Sequence, residues 1–107
     1  MLKQAIYEHI KSSPGDSFVS LSRMVPGFEG DREMVLSKKH SNTILWQHIS
    51  HEAVVALGEL VKEGKIKQVP LSVLDYMTDG GILNLPLVES DHVYQRPHWL
   101  PMGFTAL

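Results

Sequence analysis

Residues Ser50 to Leu87 read SHEAVVALGELVKEGKIKQVPLSVLDYMTDGGILNLPL, and three elements follow one another in them without a gap. Ser50 suits the N-cap of a helix, and Glu52 complements the positive end of the helix dipole in the first turn. Ala53, Val54, Leu57, Leu60 and Val61 recur as one buried stripe, until Gly64 ends the helix. Lys65 to Val69 then reads as a short basic strand. Beyond it, Leu71 to Met77 and Ile82 to Val88 flank Thr78-Asp79-Gly80-Gly81, whose glycines supply the positive φ angles of a tight turn, so this stretch reads as a hairpin. Leu83, Leu85 and Leu87 alternate with Asn84 and Pro86, which predicts a strand with one buried face at a sheet edge.

Upstream, Leu2, Ile6 and Ile10 recur every four residues with Ala5 beside them, giving an amphipathic helix over Leu2 to Ser12 that Pro14 and Gly15 terminate. Ser17 to Val19 is expected to be a small strand. A second short helix is expected around Leu21 to Val25, stopped by Pro26 and Gly27. The connection from residue 27 to residue 49 carries Lys38-Lys39-His40 and the apolar run Ile44-Leu45-Trp46. It admits a short helix near Asp31 to Ser37. The whole is either an insertion or the home of a helix nearer Asn42 to His48, because it is too long for a three- or four-residue turn. Trp46 is expected to fasten this connection to the core. From Glu89 onward, Tyr94, Trp99, Leu100, Met102 and Phe104 are interleaved with Pro97 and Pro101, which predicts an extended segment that packs rather than a helix.

The run Leu60-Val61-Lys62-Glu63-Gly64-Lys65-Ile66 is similar to the Leu-x-x-x-Gly-x-Ile ending of many winged-helix recognition helices, in which the glycine releases the chain into the first wing strand. With the order of elements from Leu2 to Val88, the chain resembles the winged-helix superfamily. The resemblance implies an α+β fold: a winged helix with a three-helix core, a C-terminal β-hairpin wing and an extended aromatic tail. It implies a domain over residues 1–88, with the long connection at 27–49, followed by a C-terminal arm over 89–107.

The resemblance also implies reading of double-stranded DNA by the helix that starts at Ser50, with the wing touching the backbone or the minor groove. Val54, Leu57 and Val61 set inward at 100° per residue put Glu52, Val55, Glu59, Lys62 and Glu63 outward, with His51 and Gly58 at the margins. Carboxylates on that face oppose phosphates, so affinity is expected from a lysine rim. The candidate DNA-binding residues are Lys38, Lys39, His40, His51, Val55, Lys62, Lys65 and Lys67, and the expected function is that of a transcriptional regulator acting as a homodimer. Tyr94, Trp99 and Phe104 are the candidate residues for a dimer or partner interface. The rival reading is a winged-helix module that docks a protein partner through the acidic helix face and the aromatic tail, without DNA.

Composition bounds these readings. A chain of 107 residues with 43% hydrophobic and 21% charged residues has the makeup of one globular domain. Its net charge of −2 is uneven: Met1 to Lys67 holds nine Lys and Arg against eight Asp and Glu, while Gln68 to Leu107 holds Arg96 against Asp75, Asp79, Glu89 and Asp91. An anionic partner is expected at the first part. The chain has no cysteine, which excludes disulfides and thiolate chemistry and fits a cytoplasmic setting. Lys3 and Glu8 interrupt the apolar start, no run is long enough to span a bilayer, and no membrane partner is expected. The order His48-Ile49-Ser50-His51-Glu52 departs from the zinc-protease motif, and Asp91-His92 and His98 lack the spacing that fixes ligand geometry, so no metal or other cofactor is expected. Neither a phosphate-cradling glycine loop nor a nucleophile elbow is present, and the chain is not expected to be an enzyme.

Overall fold

A computed structural model describes residues 1–90 and 92–107; Asp91, and with it the Asp91-His92 pair, lies outside the described residues. The fold is α+β. In chain order its elements are α1 (Leu2–Ser12), β1 (Asp16–Ser17), α2 (Phe18–Met24), β2 (Arg32–Val35), β3 (Thr43–Ile49), α3 (His51–Lys62), β4 (Ile66–Pro70), α4 (Val73–Asp79), β5 (His98–Trp99) and β6 (Met102–Ala106).

Two small sheets share one core. In the first, β6 lies between β1 and β4 and is antiparallel to both, with Asp16 opposite Phe104 and Gln68 opposite Phe104. In the second, β3 lies between β2, which is antiparallel to it, and β5, which is parallel to it. Aromatic rings fill the space between these layers. Phe18 stacks on Trp46 with centroids 6.2 Å apart, meets Phe104 edge to face at 5.4 Å, and Tyr76 meets Trp99 edge to face at 4.9 Å. The Tyr76 hydroxyl donates to the Met102 carbonyl and accepts from the Phe18 N–H, tying α4, α2 and β6 together. Burial pushes the Tyr76 phenol well above its ordinary pKa.

The helices at Leu2–Ser12 and after Ser50 stand where their periodicity puts them, with Ile6 and Ile10 of α1 fully buried. The connection from 27 to 49 is different. The helix expected near Asp31 to Ser37 is strand β2, and the alternative helix nearer Asn42 to His48 is strand β3. Thr43, Ile44, Leu45 and Trp46 are all buried, so the first four residues of β3 are covered on both faces and show none of the alternation that marks a half-exposed strand. Trp46 fastens this hairpin to the core through Phe18, Tyr76 and Trp99.

The hairpin expected around Thr78 to Gly81 is replaced by helix α4. Ser72 and Asp75 form a capping box: the Ser72 hydroxyl accepts from the Asp75 N–H at 3.2 Å, and the Asp75 carboxylate accepts from the Ser72 N–H at 2.8 Å. Gly80, at φ +99°, is the left-handed cap that ends the helix rather than a hairpin tip. The strand that pairs with β4 is therefore β6. Ile82 to Val88 contributes the bridge between Leu87 and Trp99, and Leu83 as a core residue.

The C-terminal segment is extended and packed, as its prolines suggest, but it is no appendage. Trp99 sits in the second sheet, and Met102 to Ala106 is the central strand of the first.

A polar cluster sits where α1, β1, α2 and α4 meet. The His9 ring bonds the buried Asp16 carboxylate, and Ser17 caps α2 by accepting from the Ser20 N–H while donating to Asp79 at 2.5 Å. Burial raises the Asp16 pKa above its ordinary value, and bonds from Ser20 and His9 oppose that shift without cancelling it.

Candidate nucleic-acid interface

The start of α3 is held from two sides. The Ser50 hydroxyl accepts from the Ala53 N–H at 3.1 Å and donates to the Gly27 carbonyl at 2.7 Å, while the Ser50 N–H donates to the Phe28 carbonyl at 2.8 Å. The chain just after α2 thus clamps the first turn of α3, and the helix leaves β3 in a fixed direction.

The buried stripe of α3 is Ala53, Ala56, Leu57 and Leu60. Val54 is half-buried and Val61 is exposed, so the helix is turned from the orientation expected with both valines inward. Ala56, which a stripe defined by the larger residues leaves unassigned, belongs to the inner face. At 100° per residue, the line opposite the buried stripe runs through His51, Val55, Gly58 and Lys62, all of them exposed. A side chain at Gly58 would meet open space.

The carboxylates move to the flank. Lys3 of α1 places its ammonium 3.3 Å from Glu59 and 2.7 Å from Glu63. The bond from Lys3 holds the Glu63 carboxyl below its ordinary pKa, and the bond to Glu63 chiefly raises that of Lys3. Two of the three carboxylates expected to face a partner are therefore neutralised by α1, and α3 packs on α1 and β4 rather than on the hairpin.

The lysines fall into two groups instead of one rim. Lys38 and Lys39, with His40, form the tip of the β2–β3 hairpin. Residues of that tip meet the segment from 88 to 100: Asn42 donates to the Tyr94 carbonyl at 3.1 Å, and Leu36, His40 and Thr43 border a 260 Å³ cleft with Val88, Ser90, His92 and Leu100. Lys62 lies in the last turn of α3, Lys65 in the turn after it, 3.9 Å from Glu63, and Lys67 in β4. The hairpin packs through Trp46 on the far aromatic core and does not fold back beside the end of α3.

One further basic residue belongs with the second group. Lys11 and Lys65 each hold their ammonium 5.6 Å from the centroid of the Tyr7 ring, one from α1 and one from the turn after α3. The Tyr7 to Lys11 spacing of four was readable in the sequence, but nothing local announces that Lys65 joins them.

The candidate interface aromatics are held within their own chain. Trp99 and Phe104 are 1% and 0% exposed, so neither ring reaches a second subunit. Tyr94 stacks on His98 with centroids 3.8 Å apart, and its hydroxyl accepts from the Glu89 N–H at 2.9 Å, which organises the loop around it. Set beside protein-family models, curated proteins and solved structures, the chain matches none of them.

Proposed function

We propose that the chain is a small winged-helix DNA-binding protein, a transcriptional regulator that lays α3 in the major groove. The order α1, β1, α2, α3, β4, β6, with the sheet β1–β6–β4, supports the winged-helix reading. In this reading the β2–β3 hairpin is an insertion between the second and third helices, and α4 and β5 lie within the wing. The observation that carries the functional reading is the outward line of α3: His51, Val55, Gly58 and Lys62 present no carboxylate, and the exposed Lys65 and Lys67 follow in the turn after it and in β4. His51 and Val55 face base edges, Gly58 lets the groove wall approach the helix, and Lys62, Lys65 and Lys67 contact phosphates.

The test is fluorescence anisotropy of a labelled random duplex across a salt series. Each phosphate contact contributes about 0.9 to the slope of log affinity against log salt, so replacing Lys62, Lys65 and Lys67 together with Ala should lower that slope by about 3. Replacing Lys38 and Lys39 should leave it unchanged. A wild-type protein that fails to bind the duplex at low salt sinks the proposal.

One observation favours docking of a protein instead. Val55 is 44% exposed beside Gly58 on the outward line of α3, and Val61, 41% exposed, stands on its flank. Under that reading Val55→Asp abolishes association with a partner, while salt has little effect.

A further inference from the structure

A cleft of about 320 Å³ opens on another part of the molecule, between α2, β3 and the residues just after α4. Its walls are Val19, Ser22 and Arg23 from α2, Glu29 from the following loop, and Trp46 and His48 from β3. The Trp46 and His48 rings meet edge to face at 5.8 Å. Gly81 closes the cleft; a Cβ there would stand 3.0 Å from Val19 and 3.9 Å from the Trp46 ring, so a larger residue would intrude on both.

Two features of this cleft bear on what it can hold. The first is buried polar atoms without partners. Among the described residues three such side-chain atoms occur, and two of them, Ser22 Oγ and Trp46 Nε1, belong to residues that line the cleft. Trp46 is 5% exposed, and its indole N–H has no partner among the described protein groups. The second is an unpaired cation and an unpaired anion on the same walls. Arg23 and Glu29 make no ion pair with each other or with another described residue. The Arg23 guanidinium is held over Gly80 at the C-terminal end of α4, so close that a Cβ at Gly80 would collide with it. That location sets the exposed cation at the carbonyl end of α4, beside the cleft.

We propose that the cleft between α2, β3 and Gly81 binds a small zwitterion, a free α-amino acid with an apolar side chain. Arg23 takes the carboxylate as a planar fork, and Glu29 takes the ammonium. Trp46 and Val19 receive the apolar side chain. A cavity of this volume is at the small end of ligand sites, which suits a single amino acid and excludes a dinucleotide or a peptide of several residues. The proposal is independent of the reading of α3.

The test is a titration of the ¹⁵N-labelled protein with L-phenylalanine and L-leucine, read by the backbone amides of Ser22, His48 and Gly81. L-glutamate and two fragments of phenylalanine, 3-phenylpropanoate and phenethylamine, are the comparisons. L-phenylalanine or L-leucine should move these amides saturably, and each fragment should bind about tenfold or more weakly, because each forfeits one charged partner. Glu29→Gln, a change on an exposed loop residue, should weaken L-phenylalanine by a similar factor and leave 3-phenylpropanoate unchanged. Arg23→Gln should weaken both. The proposal is overturned if neither L-phenylalanine nor L-leucine gives a saturable shift. It is equally overturned if 3-phenylpropanoate or L-glutamate binds as tightly as L-phenylalanine, or if Glu29→Gln has no effect on L-phenylalanine.

Discussion

Ser50 and Gly80 show how single residues place whole elements. Ser50 links the start of α3 to the Gly27 carbonyl as well as to the Ala53 N–H. Ser50→Ala removes an acceptor and a donor together, and urea denaturation should show a loss of about 1–2 kcal/mol, the upper part of the usual range for a cap. Gly80 adopts φ +99° beneath the Arg23 guanidinium. Gly80→Ala carries the left-handed penalty of about 1–2 kcal/mol and also displaces Arg23, whose flexible side chain can swing away. The stability loss from denaturation should therefore stay within that range. Ser50 was legible as a cap because the hydroxyl, the acidic first turn and the apolar stripe all agree. Gly80 was ambiguous because a left-handed glycine ends a helix as readily as it turns a hairpin. The deciding signal lay upstream, in the Ser72-x-x-Asp75 capping box.

At the scale of elements, β6 carries the most weight. Phe104 at its centre is fully buried, opposite Asp16 on one side and Gln68 on the other. Phe104→Ala should cost about 3–5 kcal/mol in a denaturation experiment. It should leave the mass of the folded protein in solution unchanged, since the ring serves its own core. A variant that changed the association state while keeping its stability would show instead that the strand works as an arm. The terminal strand was legible as extended from its prolines, but its neighbours were not. Strand pairing between the end of the chain and residues near its beginning leaves no local trace, and the alternating leucines at 83, 85 and 87 pointed instead to a hairpin with Leu71 to Met77. The rotation of α3 was hidden for a similar reason. Which residues face inward depends on how closely α1 approaches, and Ala56 carries too little apolar surface to reveal it.

For the molecule as a whole, the buried Asp16 carboxylate sets a pH dependence. Its folded pKa lies above the ordinary value of 3.8, so between the two values the folded chain holds a proton that the unfolded chain has released. The contribution of this group to stability accordingly falls as pH rises from about 4 through the raised value and then levels off. Asp16→Asn should remove that component. The difference in unfolding free energy between wild type and variant, followed by urea titration across this range, should decline with rising pH and become flat above it. No such slope in the difference would show that His9 and Ser20 fully offset the burial. The α+β class and the helical skeleton were legible from periodicity and caps. The two-group arrangement of the lysines was not, because it follows from where the aromatic core anchors the β2–β3 hairpin.

The pairing of β1 with β6 also governs how the chain reaches this shape. Asp16 and Phe104 stand opposite each other although most of the sequence separates them. Closing so long a loop exacts its entropy before any contact across it forms, so the three-stranded sheet is a late event in a slow search, while the helices and the β2–β3 hairpin form from local contacts. Refolding should therefore show helical signal first and the burial of Trp99 and Phe104 afterwards. Until β6 arrives, β4 has no strand on either side and presents two open edges instead of one, and yield on refolding should fall as protein concentration rises.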